Sequence, residues 1–181
     1  MRRSILLVVA FLISACGIPT DATPEAISVD LGDPGGIEQA TGPRLAAVSI
    51  YLVRDDRLVH VTRDLPSPAR LSDVLESLVS GETEPEDRAG LRSSIPIGTE
   101  LLGIHQDVNV ATVDLSSDFA AVGGRQELLA VAQVVLTAMG IEGVDAVRFE
   151  LEGTLTAVPT FSGALADDPV TAADYAPLFD G

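Results

Sequence analysis

Residues 108–139 constrain this chain more than any other stretch. Alternation through Ala111, Val113 and Leu115, with Thr112 and Asp114 between them, gives a strand with one apolar face. Ser116, Ser117, Asp118, Gly123 and Gly124 then turn the chain into an apolar run of helical length, residues 128–139, which stops at Gly140. One strand therefore feeds one buried helix, and the remaining elements must supply the other surfaces of a common core.

They do so in a regular order. Val48, Ile50 and Leu52 alternate along a strand, residues 54–57 make a polar turn, and residues 58–62 return, which predicts a hairpin. Ser67 and Pro68 have the chemistry of an N-cap and a first-turn proline. After them Leu71, Val74, Leu75, Leu78 and Val79 fall on one helical face before Gly81. Strands follow around residues 100–105 and 110–115, with Asn109 suited to a left-handed turn position between them. Val147, Phe149 and Leu151 alternate with charged residues in a further one-sided strand, and Gly153 and Thr154 turn it back into residues 155–158. The order ββαββαββ predicts an α+β domain of two layers, in which two main helices cover a mostly antiparallel or mixed sheet.

The second helix carries the expectation about partners. Leu128, Ala132, Val135, Leu136 and Met139 share one face, and Gln126, Ala130, Gln133 and Thr137 the other, flanked by Val131 and Val134. A helix buried throughout is the simpler reading. If the apolar margin is open instead, Gln126, Gln133, Thr137, Val131 and Val134 form a face for a partner, and alanine at the polar positions should cost little.

The start of the chain reads as an address. Arg2 and Arg3 precede an apolar run too short to span a bilayer, and Ser14 and Ala15 lead into Cys16. Leu12-Ile13-Ser14-Ala15-Cys16 resembles the lipobox of bacterial lipoproteins, in which the cysteine receives diacylglycerol and the signal is cut just before it. On that reading residues 1–15 are removed and Cys16 carries the lipid, with acyl chains such as palmitate giving stable anchoring in the membrane. Residues 16–44, rich in Pro, Gly, Thr and acids, form a tether, and the folded domain occupies residues 45–160. The tail, residues 161–181, ends in Tyr175, Leu178 and Phe179, which are apolar enough to dock on the domain. The protein is expected on the extracytoplasmic face of the cell membrane.

Composition narrows the chemistry. The 181 residues hold 27 acids against 11 basic residues, a net charge of -16, which repels nucleic acid and anionic lipid surfaces. Every basic residue is Arg, so a lysine base or Schiff-base nucleophile is excluded. Cys16 is the only cysteine, and its acylation leaves no thiol for catalysis or metal binding. Nothing in the pattern calls for a cofactor. Residues 82–87 concentrate four carboxylates, but Pro85 interrupts them and no calcium-loop spacing is present, so they read as a solvated turn or the first turn of a short helix. A hydrolase would draw on Ser116 or Ser117, His105 or His60, and Asp114 or Asp118, yet Gly-x-Ser-x-Gly is absent and such Ser and Asp residues ordinarily bond their own backbone at a strand exit. His60 and His105 alone make a weak metal site. Arg54, Arg57 and Arg63 could hold an anion, but surface pairing with Asp55, Asp56 and Asp64 is the simpler expectation.

Residues 50–53, 75–81, 90–99 and 110–119 together resemble the GerMN domain of sporulation and germination proteins, also found in actinobacterial lipoproteins. The strings Ile95-Pro96-Ile97-Gly98-Thr99 and Val113-Asp114-Leu115-Ser116 are the specific part, and the resemblance spans residues 45–158. It implies a non-enzymatic module of the cell envelope with no catalytic residues to carry over. The expected function is thus a membrane-anchored lipoprotein that binds an envelope protein or assembly, with peptidoglycan also within reach. A solute- or glycan-binding lipoprotein and a Ser/His/Asp hydrolase are the competing readings.

Overall fold

A computed structural model describes residues 44–179. The expected signal, Cys16 and the expected tether up to residue 43 lie outside the described residues. β1 (Leu45–Arg54) and β2 (Arg57–Pro66) form an antiparallel hairpin. Its two turn residues, Asp55 and Asp56, both take left-handed φ values of 51° and 59°, the geometry that a two-residue hairpin turn needs and that Asp tolerates. α1 (Leu71–Val79) and the short α2 (Glu84–Arg88) follow. β3 (Leu101–Asp107), β4 (Val110–Leu115), β5 (Ala146–Leu151) and β6 (Thr154–Leu155) make a four-stranded sheet in that order, and α3 (Arg125–Met139) connects β4 to β5. β4 and β5 run parallel and the other neighbours antiparallel, so the domain is α+β with a mixed sheet, as expected. β7 (Val158–Pro159) and β8 (Leu165–Ala166) pair separately.

The core faces follow the sequence pattern closely in most elements. Ala111, Val113 and Leu115 of β4 are fully buried, as are Val74, Leu75 and Leu78 of α1, with Leu71 nearly so. Tyr175 and Leu178, in a 3₁₀ segment at Ala172–Leu178, are buried as well, and Phe179 meets Tyr51 edge to face. Burial pushes the Tyr175 hydroxyl well above its usual pKa, with Asp174 adding to the effect, and that hydroxyl donates to the Pro159 carbonyl at 3.0 Å.

Three local expectations are corrected. Ser67 does not cap α1; Arg70 holds that position, and its backbone N–H donates to the Asp73 carboxylate at 2.9 Å. At the β3–β4 turn the left-handed residue is Val108, with φ 53°, and not Asn109. The Asn109 amide instead bonds Asp145 at 2.6 Å, which ties the turn to the residue before β5. On α3 the reading of a helix buried throughout holds, and the alternative of an open partner face fails. Residues 129–138 are all buried, so Val131, Val134, Gln133 and Thr137 face no partner, and of the expected face only Gln126 reaches the surface.

The hairpin explains why this helix keeps polar residues inside. The edge of β1 away from β2 has backbone groups that need partners. Tyr51 donates its N–H to Thr137 Oγ1 at 3.1 Å and accepts at its carbonyl from Gln133 Nε2 at 2.9 Å. Val53 exchanges two backbone bonds with Arg92. α3 thus acts as a surrogate strand edge, and its hydroxyl and amide are structural groups.

Candidate functional site

Ser116, Ser117 and Asp114, offered by sequence reasoning for hydrolysis, are engaged at strand ends and turns. Ser116 is buried, its Oγ accepts from the Glu100 N–H at 2.9 Å, and its own N–H donates to the Glu100 carbonyl at the same distance. The Ser117 N–H donates to Glu152, and Asp114 accepts from the Gly153 N–H. His60 lies on the hairpin against Ser49 and Tyr51, while His105 lies on β3, in the other sheet. Among the described residues neither histidine hydrogen-bonds Ser116 or Ser117, and no group of three or more His, Cys, Asp or Glu side chains is placed to hold a metal ion.

The arginines divide differently from expectation. Arg63 passes over the nearby acids and reaches the end of α1 and the start of α2. Its fork meets both oxygens of Glu86, at 3.0 and 2.7 Å, and it donates to the Ser77 carbonyl and, at 2.7 Å, to the Gly81 carbonyl. Both side chains are nearly buried, at 10% and 13% exposure; the Ser77 carbonyl at the end of α1 also accepts from the Ser80 hydroxyl, and the Gly81 carbonyl lies just beyond the helix. Burial alone would raise the Glu86 carboxyl, but Arg63 and the N–H and hydroxyl of Thr83 hold it down at about 2. Arg54 donates to the Ala89 carbonyl, and Arg92 pairs with Asp87. The acidic run of residues 82–87 is therefore largely the capped start of α2, with Thr83 as N-cap.

Arg63 and Glu86 fix a corner, and a second structure faces it. In the segment 94–99 the Ser94 N–H donates to Gln133 Oε1 at 2.7 Å and its carbonyl accepts from Gln126 at 3.3 Å, so α3 holds the peptide from both sides. Pro96 to Thr99 closes a turn through the Thr99 N–H and the Pro96 carbonyl, and Gly98 takes φ 94°, a left-handed value that glycine adopts freely. Ile97 at the apex is fully exposed, at 104%. Gly98 lies beside Asp118, and Glu100 is clamped by Ser116, so the two specific strings of the sequence meet here.

Between this turn and the α1–α2 corner lies a cavity of about 370 Å³ lined by Val79, Ser80, Gly81, Glu82, Ser93 and residues 95–99. Glu82 accepts from the Ser93 N–H at 2.9 Å. Thr99 is 6% exposed, and its hydroxyl is the one buried side-chain polar atom among the described residues that has no partner. Leaving a buried hydroxyl unpaired costs on the order of 1–3 kcal/mol, so the group calls for an explanation. Glu82, Ser93, Ile97 and Thr99 were not singled out by sequence reasoning as a site; the signal was present only as the apolar residue inside a turn-forming string.

A mixed sheet with an inserted helix, a hairpin docked on that helix and a presented turn together define a compact α+β module. The family model for sporulation and spore germination, Germane, matches residues 37–156, and the chain belongs to that family. Among solved structures it is similar to the tandem GerMN domains of the sporulation protein GerM from Bacillus subtilis, with 22% identity and a TM-score of 0.61 over 72% of this chain and 48% of that one. This chain thus spans about half the length of that tandem-domain chain. The first GerMN domain of the same protein matches at 20% identity and TM-score 0.54, covering 71% of this chain and 98% of that one. A candidate lipoprotein from Clostridium perfringens matches at 13% identity and TM-score 0.50, over 74% and 90% of the two chains. At these identities the likeness is one of fold. A comparison with curated proteins finds no match. Among the described residues no helix is long and apolar enough to cross a membrane.

Proposed function

We propose that this chain is an exported lipoprotein, anchored in the cell membrane through acylated Cys16, whose Germane domain binds a protein of the cell envelope and carries out no catalysis of its own. The observation that carries the reading is how the side chains are used. Ser116, Ser117 and Asp114 hold turns, Gln133 and Thr137 hold a strand edge, and the apolar Ile97 is left on a braced turn in water. Such an arrangement suits contact with another surface. Once residues 1–15 are removed, nine arginines face 27 acids, a side-chain balance of -18, so lipid is the attachment that overcomes repulsion from an anionic membrane.

The test has two arms in the native organism. Fractionation should find the wild-type protein with the membrane and Cys16→Ala in the soluble extracytoplasmic fraction. Alanine at Ser117, His60 or His105 should preserve whatever phenotype the wild-type gene complements. Loss of complementation by one of these variants, with folding intact by circular dichroism, would revive the hydrolase.

A further inference from the structure

We propose that the cavity between the α1–α2 corner and the Pro96–Thr99 turn is a pocket for one lysine-like side chain, an alkyl stem ending in an ammonium group, presented by the protein partner. The inference rests on the reading of the domain as a binding module, and it names the place and chemistry of the contact.

Two observations point to that ligand. The walls are divided, with Val79, Ile95 and Pro96 apolar and Glu82 the one ionisable residue that lines the space. A long aliphatic stem with a cationic head matches such a lining, because the stem stays against hydrocarbon while the head meets the carboxylate. Secondly, one Glu82 oxygen accepts from the Ser93 N–H, and the other has no partner among the described residues. The volume of about 370 Å³ admits one long side chain with its adjoining backbone. An anionic group is disfavoured by Glu82 and by the net charge of -16, which also draws a basic partner toward the protein.

The pocket is held in shape before any ligand arrives. The Ser94 peptide is fixed by Gln133 and Gln126, and Arg63 fixes the opposite wall through the Gly81 carbonyl and Glu86. A rigid site of this kind binds without a cost for ordering itself. Ile97, at the rim, would lie against the partner's surface beside the inserted side chain.

The probe is n-butylammonium, titrated into the full ¹⁵N-labelled chain in non-ionic detergent, with n-butyrate and n-butanol as controls. Saturable amide shifts are expected at Gly81, Ser93, Ile97 and Thr99 with the ammonium alone, weakening as salt is raised. Glu82→Gln keeps the acceptor for Ser93 and should weaken binding about tenfold, as expected for loss of a charge-assisted bond. The pocket is refuted if the shifts are absent, if butyrate produces them equally, or if Glu82→Gln binds as well as wild type. Because the Cys16 and complementation tests do not involve the cavity, such a failure would leave the binding-module reading standing.

Discussion

Gln133 offers the sharpest test of how this domain is assembled. The side chain is fully buried, its Oε1 accepts from the Ser94 N–H at 2.7 Å and its Nε2 donates to the Tyr51 carbonyl at 2.9 Å. Gln133→Leu keeps most of the volume and removes both bonds, leaving a buried donor and a buried acceptor unpaired. At about 1–3 kcal/mol for each of the two orphaned groups the loss should be about 2–6 kcal/mol. A domain of this size has on the order of 5–15 kcal/mol in all. Gln126→Ala, at the exposed end of the same helix, should cost about half a kcal/mol or less. Urea unfolding of the full chain in detergent, followed by circular dichroism, measures the difference directly, provided the m-values agree. A loss below about 1 kcal/mol for Gln133→Leu would mean that water or another group satisfies Tyr51 and Ser94, and would refute the surrogate-edge role of α3.

Three further outcomes follow from single residues. Val108 is β-branched in a left-handed position, so Val108→Asn should stabilise the fold by about 0.5–1 kcal/mol, seen as a higher thermal midpoint; an unchanged or lower midpoint would contradict the strain. Arg63→Ala strands a nearly buried Glu86 carboxylate and should cost about 3–5 kcal/mol in the same urea assay. The folded pKa of Glu86 lies below its ordinary value of 4.5, so its stabilisation is complete above about pH 4.5 and is lost as pH falls toward about 2. Stability measured across that window should fall less steeply in Glu86→Gln than in wild type, and parallel curves would show that other acids dominate.

Much of the architecture was legible because it is local. Alternation in β4 and the apolar spacing of α1 mark the faces that the core buries, since periods of 2 and 3.6 leave no other way to hide those side chains. The hairpin was legible from the polar run at residues 54–57 between two apolar strands. The unread part is long-range. Gln133 and Thr137 look like a solvent face because polarity on a helix normally means water, yet their partner Tyr51 lies 82 and 86 residues away on a strand edge. Arg63 has Asp64 as its neighbour and still pairs with Glu86, 23 residues on, because only there can both carboxylate oxygens and the Ser77 and Gly81 carbonyls be met together. The candidate site was missed for the same reason. Glu82 and Thr99 belong to separate segments, and only the fold shows that one cavity joins them.

The central claim, a binding domain held at the membrane by lipid, is tested most directly at the first residue of the mature protein. Mass spectrometry of the N-terminal peptide, released from protein purified out of its native membrane, should find a chain that begins at Cys16 and carries a diacylglycerol-type modification. An unmodified Cys16, or a mature chain that begins elsewhere, would contradict the account.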